Sequence, residues 1–405
     1  MTTANSYAKR IFDALQARQE RVQWEAFIVE MLQKLELSQE ERARATARYE
    51  ALGRHVAAKL DMADADAYVF VQGSMRTQTT VSPRGNQNFD LDIVVKLTGP
   101  KVHGITNPEP FFQAFGSALK GIHGAGEPTQ KRRCWRLNYP GEPFYFDVTP
   151  ALPDSRSMGL SVATDLRVRD PDTRWSPSNP EEFADWFCTI ADKRFSFHRE
   201  LREMLAKADT QVTPIPDTPV GIDDILRRGI QLMKLHRDNY YWNLSEERKD
   251  AKPISVILVT LAGHAYNNMV THEQTAYSSP IEVLLELVDR MPRGIFTDGR
   301  SYCVSNPALT MENFADRWNS DRGLRAREFN TWHKQLVADL EALFSEEYSK
   351  KSEARIRSVF GQYGVDAWKA SMPTSPLQGL LAAVPGQPRT NPTTVRPQGS
   401  KNTLA

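Results

Sequence analysis

The chain has 405 residues, with 51 Lys and Arg against 50 Asp and Glu, for a formal net charge of +1. A quarter of the residues are charged and two fifths are hydrophobic, enough apolar material for a sizeable globular core and for two or three domains. The neutral balance argues against a protein that coats nucleic acid or a membrane surface. The three dispersed cysteines, Cys134, Cys188 and Cys303, argue against a zinc ribbon or a disulfide framework and read as free thiols of a reducing cytoplasm.

The N-terminal stretch lacks the uninterrupted apolar core of a secretory signal. Residues 7–61 are predicted to form two helices, because Phe12, Leu15, Trp24, Phe27, Ile28, Met31 and Leu35 recur at helical spacing. Ser38 and Glu41 have the spacing of a capping box that opens the second. The period then changes. Residues 67–72 (AYVFVQ) and 89–97 (FDLDIVVKL) read as strands, separated by the turn-forming SPRGNQN. A helix is expected over 107–122. A hairpin follows over 131–152, with strands near 134–137 and 144–148 and Pro140-Gly141 in its turn.

Beyond about residue 165 strand signals fade. Helices are expected over 179–208, 221–241, 254–268, 280–289 and 311–350. The longest apolar run, 254–266, is too short to span a bilayer and reads as a buried helix. Residues 371–405 are rich in Pro, Thr, Ser and Gly and are expected to be disordered, apart from a short turn near 377–384. The expected organisation is N-terminal helices over 1–65, a sheet lobe over 66–165, a helical lobe over 166–370 and a tail over 371–405. His236 and His264 read as helix-packing or surface residues, and Trp318 and Trp332 as core rather than base-stacking residues.

The chemistry concentrates in the sheet lobe. Side chains alternate faces along a strand, so Asp90 and Asp92 point the same way while Leu91 and Ile93 face the core. Two carboxylates so placed repel each other unless a cation lies over them, and a hard cation with oxygen ligands suits them. Asp147 lies in a second apolar strand, FYFDV. If that strand adjoins the first, three carboxylates converge and can hold two metal ions beside a triphosphate. Gly73-Ser74 ends the preceding strand, where backbone N–H groups and a hydroxyl can cradle phosphate oxygens. Each motif alone is weak: strand acids often face solvent, and Gly-Ser is often a plain turn.

Together these residues resemble the nucleotidyltransferase signature of the DNA polymerase β-like superfamily. The segments RRGIQLMKLHRDNYY, KPISVILVTLAGHAY and VSNPALTMENFADRW further resemble bacterial relatives of cyclic GMP-AMP synthase and oligoadenylate synthase, the synthases of anti-phage cyclic-oligonucleotide signalling. The resemblance spans residues 70–344. It implies an α+β, bilobal fold with a small mixed sheet, flanking helices and a helical C-terminal lobe. It implies that Asp90, Asp92 and Asp147 are catalytic metal ligands for two Mg²⁺ ions, with Mn²⁺ as a substitute. It implies that Gly73, Ser74, Lys234 and Ser255 bind the donor triphosphate. The activity implied is synthesis of a cyclic di- or trinucleotide second messenger from NTPs in the cytoplasm, read by a separate effector. The zinc insert that supports DNA binding in the animal enzyme has no counterpart in this sequence. The resemblance also suggests ubiquitin-transfer-like partner enzymes acting on the C-terminus, with Ala405 as the conjugation point. The rival readings are an enzyme that adds nucleotides to RNA or protein, and a catalytically silent scaffold of the same fold.

Overall fold

The computed structural model describes residues 7–82, 88–154, 164–197, 224–345, 347–348 and 353–371. The expected tail, Ala405 and most of the SPRGNQN turn lie outside the described residues; the helix expected over 179–208 ends at Ala191, 192–197 are not helical, and its remainder from 198 also lies outside them.

Three helices, not two, open the chain: α1 (Tyr7–Ala17), α2 (Arg21–Gln33) and α3 (Gln39–Lys59). The first predicted helix is broken at Gln19, which sits at φ 56. The capping box before α3 is present: Ser38 accepts from the Glu41 N–H, and the Glu41 carboxylate accepts from the Ser38 N–H. Strand β1 (Ala67–Val71) leads through the single turn α4 (Gly73–Arg76) to β2 (Phe89–Leu97). Helix α5 (Pro108–Ala118), capped by Asn107, precedes β3 (Thr129–Gln130), β4 (Trp135–Asn138) and β5 (Phe144–Pro153). The sheet is mixed, in the order β1-β2-β5-β4-β3, with only β2 and β5 parallel among these neighbours.

The sheet does not end near 165. β6 (Leu166–Asp170) pairs with the end of β5, and β7 (Arg174–Ser178) pairs with β6. Arginines conceal these two strands in the sequence. Arg167 lies over the Trp175 ring, and Arg169 lies over Phe112 and pairs with Glu109, so their polar heads ride on aromatic surface.

Helices α6 (Pro180–Ala191), α7 (Ile225–Tyr241), α8 (Ser255–His272) and α9 (Pro280–Arg290) follow. The helix expected over 311–350 is corrected. A ribbon of β8 (Ser305–Asn306) and β9 (Leu309–Asn313) occupies its start, and the long helix α10 begins later (Leu324–Ser345). A last helix, α11 (Glu353–Ser371), was not predicted. It is broken at Gly361, which sits at φ 69, and Asn239 of α7 caps the broken turn by donating to the Arg357 and Ser358 carbonyls. Among the described residues no helix is long and apolar enough to cross a membrane.

Two cores result. One lies between the sheet and α3 and α5, and contains Leu91, Ile93, Phe115, Phe144, Phe146 and Val148. The other joins α6 through α11 and also takes in α1 and α2, through Phe12, Leu15, Trp24 and Phe27. The N-terminal segment therefore divides between the two cores. Trp318 and Trp332 are buried in the helical core, and His236 is held there between Asp339 and the Trp332 indole, as packing residues.

Candidate active site

Burial of one sheet face against α3 and α5 forces the alternate residues onto the other. The β2–β5 register sets Asp90 beside Tyr145 and Asp92 beside Asp147, and the β4–β5 register sets Arg136 beside Asp147. All five side chains therefore stand on one face, and the three predicted acids meet there. Above them is a cavity of about 990 Å³. Its floor includes Asp90 and Asp92. Gly73 and Ser74 line it, as do Lys234 and Ser255 from α7 and α8.

Gly73 is dictated by this geometry. It sits at φ 62, and a Cβ built there would lie 2.4 Å from Asp92 Oδ2. The missing side chain lets the turn close onto the acid. Gly73→Ala should displace Asp92 and the turn together. A misplacement of about 1 Å costs on the order of 100-fold in rate, so activity at saturating substrate should fall about that far in a protein that still folds. Activity within threefold of wild type would show that this close approach has no catalytic consequence.

The acids are electrostatically frustrated. Burial, then repulsion from Asp147, raises the Asp90 carboxyl above the usual range. Burial, then repulsion from Asp90 and Asp147, raises Asp92 further, although Lys234 opposes it. Asp147 is relieved differently: Arg136 donates to both of its oxygens, at 2.8 and 2.7 Å, and lies 3.8 Å from the Tyr145 ring centroid. Among the described residues no group of three or more His, Cys, Asp or Glu side chains stands arranged as a ready metal cage, although the expected trio is adjacent. The donor set nevertheless fits a hard divalent cation: it is all oxygen, anionic, and short of positive charge at Asp90 and Asp92.

The helical side of the cavity differs from expectation in detail. Lys234 is buried, and its ammonium donates to the Thr79 carbonyl and hydroxyl, each at 2.9 Å. Burial, then the nearby Arg237 guanidinium, lowers its pKa to about 7. Ser255 stands at the first turn of α8, where its hydroxyl accepts from Arg237 at 3.0 Å. Sequence reasoning missed several cavity residues: Arg136, Tyr145, Arg237, Trp242, Lys249 and Lys252. Arg136 alone had a readable signal, because the predicted hairpin sets it across from Asp147.

Residues 24–190 match the family described as the Second Messenger Oligonucleotide or Dinucleotide Synthetase domain. The chain is 28% identical over 307 residues to the cyclic dinucleotide synthase CdnG of Bradyrhizobium diazoefficiens, covering 73% of this chain and 70% of that one. It is 26% identical over 311 residues to the c-di-GMP synthase of Roseivirga ehrenbergii, covering 74% of each. The solved structure of the Bradyrhizobium diazoefficiens CdnG in complex with GTP superposes with a TM-score of 0.62 at 24% identity, over 85% of this chain and 97% of that chain. The chain is thus similar to bacterial second-messenger oligonucleotide synthases, through the family match over residues 24–190 and through the two relatives over about three quarters of its length, and it shares the fold of the solved CdnG structure.

Proposed function

We propose that the protein joins NTPs into a cyclic di- or trinucleotide second messenger. The observation that carries this reading is the convergence of Asp90, Asp92 and Asp147 on one sheet face, beneath a cavity walled by Ser74, Lys234 and Ser255. The names of the relatives, a cyclic dinucleotide synthase and a c-di-GMP synthase, support the same reaction class, and the GTP held by the solved relative supports an NTP substrate.

Asp90, Asp92 and Asp147 would hold the divalent ions, Mg²⁺ or Mn²⁺. Bound there, the ions would supply positive charge for the triphosphate and lower the pKa of the attacking hydroxyl. Ser74 and the turn amides bind the donor phosphates, together with Lys234 and Ser255. A ribose hydroxyl oxygen of the acceptor bonds to the donor α-phosphorus, its proton passes to Asp147, and the bond to pyrophosphate breaks. A second attack within the linear product closes the ring. Arg136 must loosen its hold on Asp147 for that carboxylate to serve. Incubation with labelled ATP, GTP and Mg²⁺ should give a small product resistant to phosphatase. Label on RNA or protein, or no turnover, would overturn the reading.

The wider setting follows the resemblance: the protein acts in the cytoplasm in anti-phage defence, and a separate effector reads its product. Ubiquitin-transfer-like partner enzymes would couple the chain through Ala405. In cells carrying active partners, replacing Ala405 by Glu should remove high-mass conjugates. The absence of such conjugates from the wild-type protein would end that part of the proposal.

A further inference from the structure

The segment that follows Ser74 is irregular, yet Thr77, Thr79 and Thr80 are buried. Gln78, between them, sits at φ 55, a left-handed conformation that a non-glycine residue holds only when its surroundings impose it. Three side chains of α7 impose it. Arg227 Nε donates to the Thr77 carbonyl at 3.0 Å, Gln231 Nε2 to the Thr80 carbonyl at 3.1 Å, and Lys234 Nζ to the Thr79 carbonyl at 2.9 Å. These positions are i, i+4 and i+7, a single stripe of the helix. All three side chains are buried.

The donors are themselves held. Asp224 binds Arg227, and Gln231 Nε2 also donates to Glu36 at 2.9 Å while its oxygen accepts from Arg228. On its other side the segment grips the Gly-Ser turn. Thr77 Oγ1 donates to the Gly73 carbonyl, the Thr79 N–H donates to the Ser74 carbonyl, and Thr80 Oγ1 donates to Ser74 Oγ at 3.4 Å. An exposed loop would leave its carbonyls to water. Here the Thr77, Thr79 and Thr80 carbonyls are each answered by a helix donor.

We propose that Arg227 and Gln231 are positioning residues for the donor nucleotide: with Lys234 they pin residues 77–80 in a strained course that fixes Ser74 and the turn amides at the phosphate edge of the cavity. The inference rests on the nucleotide reading above. Lys234 serves both partners, since an ammonium has three N–H donors and Thr79 engages two of them.

The test is a rescue experiment. Gln231→Leu keeps the side chain's bulk and removes both amide donors. Titration of the Mg²⁺-loaded protein with ATP and GTP should give affinities weakened about tenfold. KM should rise in parallel, with kcat held within threefold. Glycine adopts φ 55 without strain, so adding Gln78→Gly should restore most of the affinity. The control is Gln19→Gly, at φ 56 in the exposed turn between α1 and α2. It should recover thermal stability without recovering affinity. Arg227→Lys, which keeps a donor, should bind within threefold of wild type, and Arg227→Met should behave as Gln231→Leu does. If Gln231→Leu does not fold, the shorter Gln231→Asn takes its place. Wild-type affinity in Gln231→Leu, or equal rescue by Gln19→Gly, overturns the positioning role. A wild-type protein that binds no NTP at all is a separate result: it defeats the nucleotide reading and the positioning role with it.

Discussion

Asp90→Asn combined with Asp92→Asn should lower turnover about a thousandfold or more while leaving the protein folded and, without metal, at least as heat-stable as wild type. The loss follows from removing two of the three oxygen anions that would hold the ions. Several kcal/mol of transition-state stabilisation go with them, and each ~1.4 kcal/mol is tenfold in rate. The stability follows from the pKa shifts. In the folded, metal-free protein Asp90 is raised to about 6 and Asp92 to about 8, whereas an unfolded chain ionises both near 4. Between those limits the folded state binds more protons than the unfolded state. Wild-type stability is therefore greatest below about pH 4 with respect to these groups, and is lost as pH rises through 6 and on to 8. The neutral amides remove that dependence. Thermal melts in chelator from pH 5 to 8.5 should show the wild type falling relative to the double variant, and Mg²⁺ should restore the wild type alone. Near-wild-type turnover in a folded double variant would sink the metal-ligand assignment.

Lys234→Met should act on binding and stability together. The side chain's charge-assisted phosphate contact is worth roughly 1.5–3 kcal/mol, so NTP affinity should drop at least about tenfold. The same substitution orphans the Thr79 carbonyl, which is buried, at a further cost of about 1–3 kcal/mol of stability. A solvent-facing lysine would show neither effect. Because burial lowers the Lys234 pKa to about 7, wild-type NTP affinity should weaken as pH rises past 7, when the ammonium loses its proton before binding. Lys234→Met should lack that limb. Calorimetric titration at pH 6.5 and 8.5 separates the two proteins. Equal affinities in both at pH 6.5 would remove Lys234 from the phosphate site.

The elements that were legible in the sequence are those whose pattern is local. The capping box at Ser38 and Glu41, the D-x-D strand and the hairpin carrying Asp147 each declare themselves within about twenty residues, and their pairing follows from apolar alternation. β6 and β7 did not, because arginines that lie flat on Trp175 and Phe112 look like solvent-exposed loop residues. α11 was hidden by Gly361, which breaks the helical period where Asn239 caps it. At the site, the residue types and their shared face were readable. The partners were not: Lys234 and Thr79 lie 155 residues apart, and only the packing of α7 across the 77–80 segment brings them together. The clasp of Arg136 on Asp147 differs, since it follows from the register of a hairpin that the sequence predicts.

The division of the N-terminal helices between two cores has a consequence for how the chain assembles. The helical core is not one stretch of sequence. It is built from residues 7–33 and again from 180 onward, where α1 packs on α9 and α10, and α2 packs on α11. The sheet, with α3 and α5, is in effect an insert spliced into the middle of a mainly helical body. Closing that body requires ends separated by more than three hundred residues to meet: Arg18 caps the Phe344 carbonyl, and Tyr7 donates to that of Val337. A ribosome therefore releases the strands of the sheet with their strand partners already made, while the first two helices wait, apolar faces uncovered, until α9 to α11 emerge. Such an order makes the nascent N-terminus, rather than the catalytic sheet, the part of this protein with the greatest need of a chaperone.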